Sequence, residues 1–310
     1  DSGRVSMDEE VTVSERAASM GGSQVYLEPG EKMSVSELLK CLVVVSANDA
    51  SVALAEHIYG SEDSFILAMN ERAAQLGMKN TNYVNTTGLD ADGHYSSALD
   101  VALVTRELLK HPTILEYTTI WMDTVRNGQF GLSNTNKLVR FYDGTTGLKT
   151  GYTDEAGRCL LASAIKDGRR LISVVLGCTT KEVNGETRLM NFVDSATLLD
   201  WGYNNFTVQT VFTKDDLIQE IPVLLSKETN AVLVHTAEDV KQCGFARAGR
   251  TDHGDKLSLL HRKGYAVQRP HLVFTFSVYL CQVFDPQYFH PERLLSLFTP
   301  SFYFVKVTRR

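Results

Sequence analysis

The chain has 310 residues, 43% of them hydrophobic and 22% charged, which are the proportions of a globular protein with a sizeable core and room for two domains. No apolar run reaches the roughly 20 residues needed to span a bilayer, and five cysteines with no Cys-x-x-Cys pair argue against a disulfide framework. The net charge of −6 divides unevenly: residues 1–240 hold 20 Lys and Arg against 33 Asp and Glu, and residues 241–310 hold 11 against 4, so the acidic larger part offers nothing to a nucleic acid.

Residues 34–112 read as helical. The apolar run Val35 to Val45 predicts one helix and Asp49 to Ile58 the next, with Ser46-Ala47-Asn48 between them. Ser61, followed by Glu62 and Asp63, opens a third helix with a capping hydroxyl and acids suited to its N-terminus. Ile66, Met69, Ala73 and Leu76 recur there at helical spacing as core positions, and Gly77 closes the helix. Asn80 to Tyr95 reads as a loop, whose Asp90-Ala91-Asp92-Gly93 lacks the later glutamate of a calcium-binding loop. Ser96 or Ser97 then caps a helix that runs to His111 and stops at Pro112, so His94, Ser96, Ser97 and Asp100 are structural and not a catalytic triad.

Three strands follow, at Thr145 to Tyr152, Arg158 to Lys166 and Arg170 to Leu176. Asp167-Gly168 joins the last two as a tight hairpin turn. Glu186 to Asn204 predicts a helix covering the sheet, and further strands are expected around Val208 and Val211, from Ile218 to Leu225 and from Ala231 to His235, with a turn at Lys227 to Asn230. Cys41, Cys159 and Cys178 read as buried free thiols. Composition changes after Val240: the last 70 residues hold 12 of the 28 aromatics, with histidines at no regular metal-ligand spacing. His271 to Phe284 alternates like a strand, the segment does not read as a membrane-lying helix, and poor order is expected in it.

Two tripeptides carry the chemistry. Lys149-Thr150-Gly151 sits on a predicted strand with Gly147 and Gly151 on either side of the lysine, so a peptide could lie alongside and pair with its main chain. Lys149 supplies a cation and Thr150 a hydroxyl, the groups that hold a terminal carboxylate. Ser46-Ala47-Asn48 stands between two helices, where Ser and Asn serve equally well as plain caps. In a functional reading Ser46 relays a proton between a lysine and a departing amine, and the Asn48 amide grips a substrate amide.

With these motifs in place, the passages SVSELLKCLVVVSANDASVALAEHIYGS, FILAMNERAAQLGMKNTNYVNTTGLDADGHYSSALDVA and GTTGLKTGYTDEAGRCLLASAIKDGRRLISVVLG resemble the serine-type D-alanyl-D-alanine carboxypeptidases, the low-molecular-mass penicillin-binding proteins. The likeness runs from Asp1 to about Val240. It implies an α+β fold of the β-lactamase/transpeptidase kind, an antiparallel sheet flanked by helices and followed by a small β domain. Residues 1–205 would be the partial penicillin-recognising domain, 206–240 the start of the β domain and 241–310 an atypical tail. It implies an acyl-enzyme mechanism in which a serine attacks the bond between two D-alanines of a peptidoglycan stem peptide. By position Ser46 and Asn48 match the family's middle motif, Lys149, Thr150 and Gly151 its third, and the Tyr152 backbone N–H one donor of its oxyanion hole. The implied partners are stem peptides and β-lactams, with no cofactor, no metal and no nucleic acid. The implied place is the outer face of a bacterial cytoplasmic membrane, with peripheral association in the full-length protein.

The family's Ser-x-x-Lys segment stands before the middle motif, and none lies between Asp1 and Ser46. Ser163-Ala164-Ile165-Lys166 fits the pattern but runs along a strand, which cannot present positions i and i+3 on one face. The chain is therefore expected to recognise a substrate without attacking it, and to keep a sheet edge unpaired. A non-catalytic peptide-binding module remains an alternative. A class A β-lactamase is another, against which Ala47 and the strands from Phe206 argue.

Overall fold

The computed structural model describes residues 3–212, 217–222, 231–235, 240–245 and 303–306. The chain opens with β1 (Glu10–Thr12), α1 (Glu15–Ala18) and β2 (Lys32–Ser34), β1 and β2 pairing antiparallel. Helices α2 (Val35–Val45), α3 (Asn48–Tyr59), α4 (Glu62–Gln75), α5 (Ala98–Leu108) and α6 (Thr113–Thr118) follow, then the hairpin β3 (Met122–Val125) and β4 (Phe130–Ser133) and the short α7 (Leu138–Phe141). Strands β5 (Thr145–Thr153), β6 (Gly157–Lys166) and β7 (Arg169–Cys178) form an antiparallel meander. After it come a second hairpin, β8 (Thr180–Val183) and β9 (Glu186–Leu189), and α8 (Met190–Asn205). The remaining described strands are β10 (Phe206–Phe212), β11 (Leu217–Pro222), β12 (Ala231–His235), β13 (Val240–Phe245) and β14 (Tyr303–Lys306).

The start of α2 is set by a reciprocal cap. Ser34 Oγ accepts the Glu37 N–H, and the Glu37 carboxylate accepts the Ser34 N–H in return. Leu38, Cys41 and Val44 then recur on one face and are wholly buried against Val11, Val25, Met33, Val52 and Leu132. Burial pushes the Cys41 thiol up to about 12, so it is inert packing. Cys159 and Cys178 are in no disulfide, as expected, but are only half-buried, because each sits near the end of its strand.

The central sheet has the order β14-β7-β6-β5. Ile172 and Val174 of β7 pack with Leu148 against Ala102 and Leu109 at α5, whereas the intervening Ser173 shares a 2.5 Å hydroxyl contact with Ser195 of α8. Successive strand residues point to opposite faces, so helices cover both. One edge, along β7, carries β14 in parallel register from Tyr303↔Leu171 to Lys306↔Val174, which covers part of a margin expected to be bare. The other edge is β5, unpaired on its outer side among the described residues.

Two expectations need correction. Helix α8 begins at Met190 and not at Glu186, because Asn184 and Gly185 both adopt positive φ (54° and 79°) and turn the chain into the β8–β9 hairpin. In α4, Ala73 is fully buried, but Ile66 and Met69 are only half-buried. Met69 lines an open apolar hollow with Tyr59, Phe65, Tyr83 and Val104 instead of a sealed core.

The chain divides into two compact units, Asp1–Asp200 with Leu280–Phe284 and Phe302–Arg310, and Trp201–Tyr279 with Asp285–Ser301. In the second, β10 pairs antiparallel with β13 and β11 with β12, so strand β13 runs across the boundary expected after residue 240. The expected turn at Lys227 to Asn230 and strand at His271 to Phe284 lie outside the described residues.

Candidate active site

Helix α2 stops at Ser46, which takes the left-handed conformation (φ 63°, ψ 37°) while its N–H closes back on the Cys41 carbonyl. The half-buried Ser46 leads into α3, whose first turn is anchored to the N-terminal segment. The Asn48 N–H donates to Ser23 O at 2.8 Å, and its Nδ2 donates to Gly21 O at 2.8 Å. A Cβ on Gly22 would lie 2.8 Å from that nitrogen, so only glycine lets the segment approach so closely. Asp49 is wholly buried, and its carboxylate accepts the N–H groups of Val25 and Leu27, each at 3.0 Å.

The facing wall is β5. Lys149 Nζ donates to Ser46 Oγ at 2.7 Å, across 103 residues of sequence, and to Thr150 O at 3.1 Å. Lys149 keeps a margin of solvent contact, yet its ammonium is crowded by protein, and desolvation pushes its pKa down to about 8. The Thr150 hydroxyl donates to Thr135 Oγ1 at 2.7 Å. Gly151 and Tyr152 are exposed on the open edge. The Tyr152 hydroxyl donates to Asp154 at 2.8 Å, a bond that raises its pKa, and the Arg158 guanidinium lies 4.6 Å from its ring centroid.

Thr135 escaped the sequence reading. It lies in Ser133-Asn134-Thr135-Asn136, between β4 and α7, and its N–H donates to Val44 O of α2 at 3.0 Å. Two asparagines hold it there. Asn134 Nδ2 donates to Ile120 O at 2.6 Å and its Oδ1 accepts the Asn136 N–H, while Asn136 Oδ1 accepts the Leu138 N–H. A dense run of Asn, Ser and Thr just before the lysine strand was the available signal.

The structure thus brings Ser46, Lys149 and Thr150 together, with Gly151 and Tyr152 continuing along the same strand. It places Asn48 two residues from Ser46 with its amide nitrogen engaged on Gly21. Ser163 is fully buried on β6 and accepts from Thr146 Oγ1 at 3.0 Å, and Lys166 lies against the Tyr142 ring at 4.1 Å. That pair is packing, as its strand position implied. Ser97, not Ser96, caps α5 by accepting the Asp100 N–H, and Asp100 accepts from Asn80 N and Thr81 Oγ1, so these side chains close the loop and have no part in the cleft.

The sequence profile of the D-alanyl-D-alanine carboxypeptidases matches residues 1–180. The chain belongs to the D-alanyl-D-alanine carboxypeptidase family. Within that family it is 44% identical over 232 residues to D-alanyl-D-alanine carboxypeptidase DacF of Bacillus subtilis, covering 74% of this chain and 58% of that protein. DacC of Escherichia coli is 38% identical over 196 residues, 63% of this chain and 47% of that one. The chain spans about half the length of the curated relatives it matches. Penicillin-binding protein 5 of Haemophilus influenzae superposes with a TM-score of 0.66 at 30% identity, over 78% of this chain and 70% of that one. PBP3 of Streptococcus pneumoniae gives 0.67 at 28% identity, over 81% and 74%. The α+β architecture is therefore that of the penicillin-binding proteins, and the family places the chain with the carboxypeptidases and not with class A β-lactamases.

Proposed function

We propose that this chain carries the substrate-recognition cleft of a serine-type D-Ala-D-Ala carboxypeptidase, which binds the D-alanyl-D-alanine end of a peptidoglycan stem peptide and, as its mimic, a β-lactam. The observation that supports this best is the 2.7 Å contact between Lys149 Nζ and Ser46 Oγ. The peptide lies along the open edge of β5 and pairs with its main chain near Gly151. Its terminal carboxylate meets the Lys149 ammonium and the Thr150 hydroxyl, and the Tyr152 N–H faces the carbonyl oxygen on which charge develops. Asn48, with its nitrogen engaged, offers Oδ1 to an N–H of the ligand. Ser46 passes its hydroxyl proton to the departing amine and takes one from Lys149, whose pKa near 8 leaves it able to give and recover a proton close to neutrality.

Among the 310 residues the only Ser-x-x-Lys is the packed pair at 163–166. This polypeptide by itself accordingly binds without acylation. The reaction it serves takes place outside the cytoplasm, where stem peptides are found, and the full-length protein associates peripherally with the membrane. Among the described residues no helix is long and apolar enough to cross one. The test is incubation of the 310-residue polypeptide with a β-lactam, followed by intact-mass measurement, beside titration with a D-Ala-D-Ala peptide. We expect unchanged mass and peptide binding that Lys149→Ala abolishes. A stoichiometric covalent adduct overturns the first expectation, and equal binding by Lys149→Ala the second.

A further inference from the structure

Besides the direct bond from Lys149 to Ser46, a residue outside both motifs, Thr135, also contacts both walls of the cleft. Its N–H donates to Val44 O, two residues before Ser46, and its hydroxyl accepts from Thr150, next to Lys149. The backbone bond needs no particular side chain, so the hydroxyl calls for its own explanation. Thr150 O–H is committed to Thr135 Oγ1 at 2.7 Å, and the same proton is the one a carboxylate ligand requires. A hydroxyl both accepts and donates, so each can turn about its own Cβ–Oγ bond when an anion arrives. Thr135 O–H then donates to Thr150 Oγ1, and Thr150 O–H donates to the carboxylate. Bonds aligned in this sense polarise one another, which strengthens the one that ends on the charge.

We propose that Thr135 is a positioning residue whose hydroxyl reverses from acceptor to donor as the cleft fills, making Thr150 selective for a peptide that ends in a free carboxylate. No covalent bond changes, and no proton leaves either threonine. The inference rests on the reading of Lys149 and Thr150 as the carboxylate holders. It adds that discrimination against an uncharged terminus depends on a side chain outside both recognition motifs.

Valine matches threonine in shape but can neither accept nor donate, whereas serine keeps the hydroxyl. The experiment titrates the 310-residue polypeptide with an acetylated Lys-D-Ala-D-Ala peptide and with the same peptide amidated at its C-terminus, in the native chain, Thr135→Val and Thr135→Ser. The native chain should prefer the carboxylate, Thr135→Val should lose about tenfold of that preference with amide binding unchanged, and Thr135→Ser should keep it, as befits one charge-assisted hydrogen bond. If Thr135→Val retains the full preference, or weakens both peptides alike, the hydroxyl is only structural and the proposal falls. If the native chain itself shows no preference, the carboxylate reading falls first and takes this inference with it. Should the valine variant fold poorly by its melting temperature, Thr135→Ala serves in the same comparison.

Discussion

The wall that carries Ser46 and the wall that carries Lys149 meet at 2.7 Å, but they are held in place by different means. Along α2 and α3 the buried polar groups have partners: the Asp49 carboxylate takes three backbone N–H groups, Asn48 reaches Gly21, and the apolar face of α2 fills a continuous core. Along β5 the outer strand edge is open, and an ammonium sits in a desolvated place with a hydroxyl and a carbonyl as its neighbours. One wall is built for stability. The other gives up stability to keep a charge in a desolvated place, which is a common feature of functional sites.

The sharpest way to break this contrast is at Asp49. Replacing it with alanine leaves the buried N–H groups of Val25 and Leu27 without an acceptor, and should cost about 3–5 kcal/mol in urea unfolding. A loss below about 1 kcal/mol would show that the stable wall does not depend on that carboxylate. Gly147 tests how β5 is seated. It has φ 120°, and an added Cβ would lie 2.5 Å from Thr118 Cβ on α6, so Gly147→Ala should cost about 3 kcal/mol by the same measurement. A neutral result would mean that α6 yields and does not fix the lysine strand.

Lys149→Met should move stability in the opposite direction. The lysine's folded pKa, about 8, lies below its unfolded value near 10.5, so the unfolded chain binds more protons between those limits and stability rises with pH across them. Below pH 8 the folded state bears the full cost of the charge. Discounted for residual solvent contact, removing it should gain about 2 kcal/mol at pH 7. The gain should shrink as pH approaches 10.5, while D-Ala-D-Ala peptide binding disappears. A variant less stable than the native chain at pH 7 would mean that the ammonium is a net support of the fold. The smallest effect is expected at the remote end of the stable wall. Ser34→Ala removes the α2 cap and should cost about 1 kcal/mol without changing peptide affinity. An affinity change there would show that the two walls are coupled through α2.

How much of this was legible in advance depended on the range of the interaction. The Ser61 cap, the Asp167-Gly168 turn and the three strands around Lys149 follow from neighbours a few residues away and form where expected, and of the two serines left open for the α5 cap the structure uses Ser97. Asn184-Gly185 was an equally local turn signal that the helical reading of Glu186 onward overrode. The outward position of α4 was less accessible, because periodicity marks an apolar face but not whether anything closes over it. Thr135 was invisible for a stronger reason. The run of Asn, Ser and Thr around it marks a polar segment, but singles out no one residue of that run until β5 and α2 are both beside it.

Local chemistry alone settled most of the helices and strands around the site, the family likeness and the two short motifs to which recognition is assigned in our proposal. Tertiary structure decided that a hydroxyl and an ammonium 103 residues apart share a hydrogen bond, that burial lowers the affinity of that ammonium for its proton, and that a third residue reaches one wall with its backbone and the other with its hydroxyl. The reason is that backbone preferences act over a few residues, whereas desolvation and cross-chain hydrogen bonding depend on which distant surfaces the folded core presses together.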